Sequence, residues 1–270
     1  MNGSEQASAQ KPATAARMYD YYLGGFHNFR ADQEAAERVL DQFPHLTSVA
    51  RVNRAFLGRA VRYMVDCGIR QFLDVGSGIP TAGNVHEIAQ AAAPEARVTY
   101  VDIDPVAVAE SLEILEGNGR ATAIRADMRH PETILAHKSV RELLDFDQPI
   151  GLLLAAVLHF VPEDDTAYGL VRQLLDALPP GSYMAVSHIA SESFVPSDRY
   201  SAATAVYQQQ TSTPVDSRSK PDVERFFAGI DLVEPGVVWG NEWRPAPGDP
   251  EIKDDDPLKK GVWAGVGHKR

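Results

Sequence analysis

The sequence predicts an α/β fold: one mostly parallel, seven-stranded sheet with helices on both faces, one antiparallel strand, and extra N-terminal helices. Three observations lead there. From Gln71 onward, short and nearly continuous apolar runs alternate with stretches of helical periodicity, the pattern of strands buried on both faces. Before Gln71 the apolar residues keep helical spacing alone. The last two apolar runs have no clear helix between them and are expected to pair antiparallel.

Residues 1–12 are polar and lack the apolar centre of a signal peptide, so they are expected to form a disordered leader. One domain is expected over 13–270, with 13–70 a helical cap and 71–270 the core. Asp32 to Phe43 sets Ala35, Ala36, Val39, Leu40 and Phe43 on one helical stripe that Pro44 ends. Thr47 or Ser48 is expected to cap the next helix, which carries Val52, Phe56, Leu57, Ala60, Val61 and Met64 up to Cys67-Gly68. The expected strands are Gln71 to Val75, Val98 to Ile103, Ala121 to Ala126, Ile150 to Val157, Tyr183 to Ser187, Leu232 to Trp239 and Val262 to Gly267. Helices are expected at Ala82 to Ala93, Pro105 to Leu115, Pro162 to Leu178 and Pro221 to Phe227. The polar segment Ile189 to Ser219 is either a flap over the carboxyl edge of the sheet, where open α/β folds bind ligands, or a surface helix.

Charge narrows the partners. With 26 Lys+Arg against 37 Asp+Glu the net charge is −11, which disfavours DNA, RNA and anionic membranes. Arg51, Arg54, Arg59 and Arg62 read as the solvated face of a helix. No run of about 18 apolar residues is present to span a membrane. Cys67, the only cysteine, leaves no intramolecular disulfide and points to the cytoplasm.

The chemistry starts at the first strand, which runs into Asp74-Val75-Gly76-Ser77-Gly78. Glycines let a backbone approach a ligand, and the next helix adds free N–H groups. A dinucleotide fingerprint would put a third glycine where Thr81 stands and no acid at Asp74, because a diphosphate is an anion. A carboxylate there repels a diphosphate but accepts hydrogen bonds from an ammonium. S-adenosylmethionine carries an amine and a sulfonium and no phosphate, so the turn suits it better. Strand two ends in Val101-Asp102-Ile103-Asp104-Pro105, where Asp102 can reach ribose hydroxyls and Asp104 better suits a helix cap. Strand three ends in Ala126-Asp127-Met128, where Asp127 either accepts from an adenine amine or caps a loop. Strand four ends in Ala155-Ala156-Val157-Leu158-His159-Phe160, expected to lie under the transferred methyl.

Together the glycine turn, Val101-Asp102, Ala126-Asp127 and Val157-Leu158-His159 resemble a class I methyltransferase, whose fold is Rossmann-like. From about Ala13 onward the chain resembles, more narrowly, the actinobacterial S-adenosyl methyltransferase family once classed as a domain of unknown function. The specific marks are Arg17-Met18-Tyr19-Asp20-Tyr21-Tyr22-Leu23-Gly24-Gly25 with Asn28 and Asp32, Asn53-Arg54-Ala55-Phe56-Leu57, Val85-His86-Glu87-Ile88-Ala89-Gln90, Ser187-His188, Glu234-Pro235-Gly236 and Trp243-Arg244-Pro245. The resemblance implies cofactor contacts at Asp74, Gly76, Ser77, Gly78, Asp102, Ile103, Asp127, Met128 and the Ala155–Ala156 backbone. It also implies that the segment from Tyr19 through Tyr22, Gly24 and Gly25 to Asn28 folds over the cofactor; a packed N-terminal turn is the other reading. Arg54 either pairs the cofactor carboxylate in a bidentate fork or is solvated.

Methyl transfer needs donor and acceptor held in line and water excluded; a base helps only where the acceptor loses a proton. His159 is the candidate base, with His188 a weaker one and a satisfied structural histidine the competing reading. No Asn/Asp-Pro-Pro-Tyr run follows strand four, which argues against methylation of base or amide nitrogens. The histidines show no metal-ligand spacing, so no metal is expected. Three functions follow: methyl transfer to a small-molecule hydroxyl or amine, a non-catalytic S-adenosylmethionine-binding sensor or partner, and, disfavoured by Asp74, a nicotinamide oxidoreductase.

Overall fold

The computed structural model describes residues 12–80, 83–192, 197–211, 213–250 and 260–270. The expected leader lies outside the described residues apart from Pro12, as do Thr81 and the expected helix start at Ala82. Five parallel strands make the centre of the sheet: β1 (Gln71–Val75), β2 (Arg97–Asp102), β3 (Ala121–Arg125), β4 (Gly151–Ala155) and β5 (Tyr183–Ile189). Their order is β3-β2-β1-β4-β5, so the winding reverses between β1 and β4. Every residue of β1 is buried, as expected of a strand covered on both faces. Its Asp74 lies opposite Tyr100 of β2 and Leu153 of β4.

The last strand, β8 (Val262–His268), runs antiparallel to β5 with Ser187 opposite Ala264. The run Leu232 to Trp239 is not one strand but two, β6 (Asp231–Leu232) and β7 (Val238–Trp239), both antiparallel to β8. Between them the Gly236 N–H turns back to the Val233 carbonyl, and Pro235 has no N–H to offer a ladder. Among the described residues the sheet therefore has eight strands instead of seven. Because β6 and β7 share one edge of β8, it is still seven positions wide, and β8 alone runs against the rest.

Helices α2 (Arg30–Gln42), α4 (Val85–Ala92), α5 (Pro105–Ile114), α8 (Asp164–Asp176) and α10 (Lys220–Arg225) coincide with the expected stretches. The long α3 (Leu46–Asp66) is capped by His45 and not by Thr47 or Ser48. The His45 carbonyl already accepts the N–H groups of Ser48 and Val49, so the helix closes its first turn directly after Pro44. Three helices were not foreseen as such: α1 (Ala15–Tyr22), α6 (Pro131–Leu135) and α7 (Lys138–Leu143). The polar 189–219 segment carries a helix, α9 (Ser197–Thr211), one of the two forms expected of it. None of the helices among the described residues is long and apolar enough to cross a membrane.

The arginine row on α3 is not a uniform solvated face. Arg51 and Arg62 are exposed, but Arg59 is buried, because the 240–249 loop covers that side of the helix. Arg59 donates to the carbonyls of Trp243 and Gly240 and pairs with Asp249.

Two apolar cores fill the two faces of the sheet, and a third, built on Met18, Tyr22, Ala35, Ala36, Val39, Ala50 and Ala203, joins α1, α2, α3 and α9 above its carboxyl edge. A buried ion network fastens this cap to β2. Arg17 Nε donates to Asp32 Oδ2 at 2.8 Å and its Nη1 to Asp104 Oδ2 at 3.0 Å, with all three side chains at most 3% exposed. Asp32 also accepts the N–H groups of Thr14 (3.0 Å) and Phe29 (2.8 Å), and the Thr14 hydroxyl donates to Asp104. Removing the guanidinium would leave two buried carboxylates without their cation. Arg17→Ala is expected to lower unfolding stability in urea by about 3–5 kcal/mol. A loss below about 1 kcal/mol would mean that the network behaves as a surface pair.

Candidate functional site

The strand ends converge on a cavity of about 470 Å³ at the carboxyl edge of the sheet, roofed by α1, α3 and α9. At the end of β1 the chain turns sharply, and the Gly76 and Ser77 N–H groups donate to the Val101 carbonyl of β2 at 2.8 and 3.1 Å. Gly76 has φ +73°, and a Cβ there would come within 2.0 Å of the Val157 side chain. Only glycine lets this turn nest against the end of β4. Asp102 leans across from β2: its Oδ2 accepts the Gly78 N–H and its Oδ1 the Asp104 N–H, both at 2.8 Å. Asp104, not Asp102, caps α5, accepting the Val106 N–H at 2.9 Å.

At the end of β3, Arg129 grips Asp127 with Nε 2.9 Å from both carboxylate oxygens and Nη2 2.6 Å from Oδ2. Burial pushes the Asp127 carboxyl up, but these bonds outweigh it and hold it below the usual carboxylate range. Ile103, 53% exposed, and the half-buried Met128 line the same wall. After β4, Ala156 adopts φ +52°, a conformation costly for a residue with a side chain and frequent at functional sites. A relay of hydrogen bonds holds it there. The Ala156 N–H donates to Ser187 Oγ at 2.9 Å, Ser187 donates to Asn53 Oδ1, Asn53 Nδ2 donates to the Tyr19 hydroxyl at 2.9 Å, and Tyr19 donates to the Ala50 carbonyl at 3.2 Å.

The cavity thus gathers Tyr19, Tyr22, Arg54, Asp74, Gly76, Ser77, Gly78, Asp102, Ile103, Asp127, Met128, Ala155, Ala156 and His159. It does not gather Gly24, Gly25 or Asn28. Those residues build a turn around the buried Asp20: Asn28 Nδ2 donates to Asp20 Oδ2 at 2.8 Å and to the Gly25 carbonyl at 2.9 Å. A Cβ on Gly25 would lie 2.0 Å from Asp20 Oδ1, so the close approach this glycine permits is to Asp20. Of the two readings of this segment, its first part lines the cavity and its second part is a packed turn.

The two histidines differ sharply. His188 Nδ1 meets the Ile189 carbonyl and its Nε2 accepts from Arg218, each at 2.8 Å, so neither nitrogen is left for chemistry. Burial pushes its pKa down to about 4. His159 stands against the cavity with its ring 4.1 Å from that of Phe160. Its Nδ1 is buried and has no hydrogen-bond partner among the described residues. Burial, then His188 and Arg218, keep this imidazole neutral, with a pKa well below the usual value.

A family profile described as S-adenosyl methyltransferase matches residues 2–270. The chain belongs to this family. A DUF574-family protein from Streptomyces avermitilis MA-4680 is 38% identical, with 97% of this chain and 99% of that one aligned at a TM-score of 0.89. A protein from Thermobifida fusca YX, described provisionally as a methyltransferase, is 37% identical, with 97% of each chain aligned at 0.88. A SAM-dependent methyltransferase from Anabaena variabilis ATCC 29413 shares the fold at 14% identity, with 98% of this chain and 100% of that one aligned at a TM-score of 0.54. None of the curated proteins matches. S-adenosylmethionine is therefore the cofactor, and the chain is an S-adenosyl methyltransferase.

The residues present fit that cofactor. A Cβ on Gly78 would meet nothing within 4 Å, so the turn leaves open space at the cavity wall. Among the described residues four acids and no lysine line the strand ends around it, a set of acceptors for a cationic, hydroxyl-bearing ligand. The sequence reading quoted Asn53 and Ser187 among the marks of the resemblance but gave them no role in the site, and it did not name Arg218. Asn53 and Ser187 carried a signal, since each is a polar residue in an apolar stripe or strand. Arg218, which props the 158–162 turn through the carbonyls of Leu158 and Val161, lies in a segment without periodicity and gave none.

Burial pushes the Asp74 pKa up to about 7; the Arg54 charge opposes this and Asp102 adds to it. The folded state thus keeps a proton that the unfolded chain loses above pH 3.8, and this contribution to stability fades as pH rises from 3.8 to about 7. Asp74→Asn is expected to flatten that slope and to stabilise the ligand-free enzyme at pH 8 by on the order of a few kcal/mol. Urea unfolding across this range measures it; an unchanged slope would place the titration elsewhere.

Proposed function

We propose that this methyltransferase acts in the cytoplasm on a small molecule and methylates its hydroxyl or amine. The observation that carries the reading is the partly open cavity of about 470 Å³ lined by the His159 ring, a size suited to a cofactor with a small acceptor. Bound S-adenosylmethionine supplies a methyl carbon made electrophilic by its sulfonium.

In this reading Asp102 accepts from the ribose hydroxyls, each of its oxygens having a lone pair beyond the one given to a backbone N–H. Asp127, its direction fixed by Arg129, accepts from the adenine amine between the apolar Ile103 and Met128. Asp74 faces the ammonium, and Arg54 the carboxylate. His159 accepts the hydrogen bond of the acceptor and takes its proton as the methyl arrives. An imidazole held neutral by burial is a weak base, but loss of the sulfonium charge during transfer removes one obstacle to its protonation.

Calorimetric titration with S-adenosylhomocysteine is expected to show binding, and titration with NAD none. Asp102→Ala is expected to weaken S-adenosylhomocysteine by about tenfold or more; unchanged affinity would remove the ribose assignment. With labelled S-adenosylmethionine and an extract of small metabolites, wild type should label product and His159→Ala should do so about a hundredfold more slowly. Binding without labelled product would favour a non-catalytic role.

A further inference from the structure

The cavity is chemically divided along the sheet. Its ionic side chains (Asp74, Asp102, Asp104, Asp127, Arg129 and Arg54) stand at the ends of β1, β2 and β3 and on the neighbouring part of α3. On the other side of β1, at the ends of β4, β5 and β8 and on the facing helices, the described lining residues carry no Asp, Glu, Lys or Arg. That wall holds Phe160, Ile189 and Val262 with Tyr22 of α1 and Tyr207 of α9. The Phe160 and Tyr207 rings are 6.2 Å apart and inclined at 48°, and the Tyr207 hydroxyl donates to that of Tyr22 at 3.3 Å. His159 lies at the boundary between the two halves, in the helical turn Leu158–Phe160 that follows β4.

We propose that the half bounded by β4, β5 and β8 is the acceptor subsite, and that it takes an uncharged, flat aryl alcohol whose hydroxyl donates to His159. The inference rests on the methyltransferase reading above and names the acceptor chemistry that reading leaves open. A carboxylate or alkylammonium here would be desolvated with no counter-ion within the wall. Aromatic walls favour a ring that can meet them face or edge on. The His159 ring lines the cavity, and the nitrogen of a neutral imidazole that carries no proton accepts a hydrogen bond from a phenolic O–H. In turnover an acceptor oxygen lone pair forms the new C–O bond while the C–S bond breaks with its pair passing to sulfur. The hydroxyl proton goes to His159 and then to solvent, leaving a methyl ether, a neutral thioether and the enzyme unchanged.

The test is calorimetry on the full chain saturated with S-adenosylhomocysteine, using 2-naphthol, 2-naphthoate and 2-naphthylmethylammonium as probes. 2-Naphthol is expected to bind at least about tenfold more tightly than either ion. Tyr207→Ala should weaken 2-naphthol by about fivefold to tenfold, while Tyr207→Phe keeps its affinity and both variants keep that for S-adenosylhomocysteine. Binding of S-adenosylhomocysteine with equal or better affinity for a charged probe, or with no probe bound, would overturn the acceptor assignment and leave the methyltransferase reading standing. Failure of S-adenosylhomocysteine itself to bind would overturn both.

Discussion

Arg17 answers two carboxylates from inside the protein, and the layout of the site follows from that contact. Asp32 belongs to the cap and Asp104 to the end of β2, so one guanidinium joins the N-terminal helices to the carboxyl edge of the sheet. Such a triad has an unfavourable desolvation cost, and its net worth to stability is small next to the cost of breaking it. Its effect is geometric. Asp104 also caps α5 and gives its N–H to Asp102, while Asp102 accepts from Gly78. The cap, the helix after β2 and the glycine turn after β1 are thus linked through consecutive hydrogen bonds, and none can shift alone without opening a buried polar group.

A second chain of contacts does the same on the other side of β1. Ala156 sits in a backbone conformation that alanine disfavours, and the Ser187–Asn53–Tyr19 relay holds it there from β5, α3 and α1. Gly76 lets the β1 turn rest on Val157, one residue beyond Ala156. The two relays meet at this turn. The walls of the cavity are set by strand ends and by helices tied to them, which is what in-line displacement requires of a site that supplies mainly position.

These arrangements were unequally legible in the sequence. The central strands could be read because burial on both faces makes them continuous apolar runs, and the acids at their ends stood out against that background. The division of labour between Asp102 and Asp104 followed from Pro105, since proline marks the first turn of a helix. The break in the sixth strand was foreshadowed by Pro235 and Gly236 but hidden by apolar residues on either side. Helix α1 was missed because it is short, and α9 could be read only as one of two alternatives because it presents Ala203, Val206 and Tyr207 to the cap without a clear apolar stripe. Gly24-Gly25 misled because a glycine pair permits close approach without saying of what, and here it is a carboxylate of the same turn. The arginines of α3 misled because a charge pattern cannot reveal that a distant loop covers Arg59.

The electrostatics of the cavity give the choice of cofactor a cause independent of sequence similarity. Asp74 and Asp102 are both buried, and burial raises one to about 7 and the other to about 6, each carboxylate resisting the charge that low polarity makes costly. A cation entering beside them relieves that cost, because it supplies the partner their surroundings lack. A diphosphate would do the reverse, adding negative charge next to two groups already poor at holding their own. The glycine turn alone admits either ligand, since its backbone freedom is indifferent to charge. The acid before its first glycine makes an adaptable loop one whose charge suits a cation better than a diphosphate.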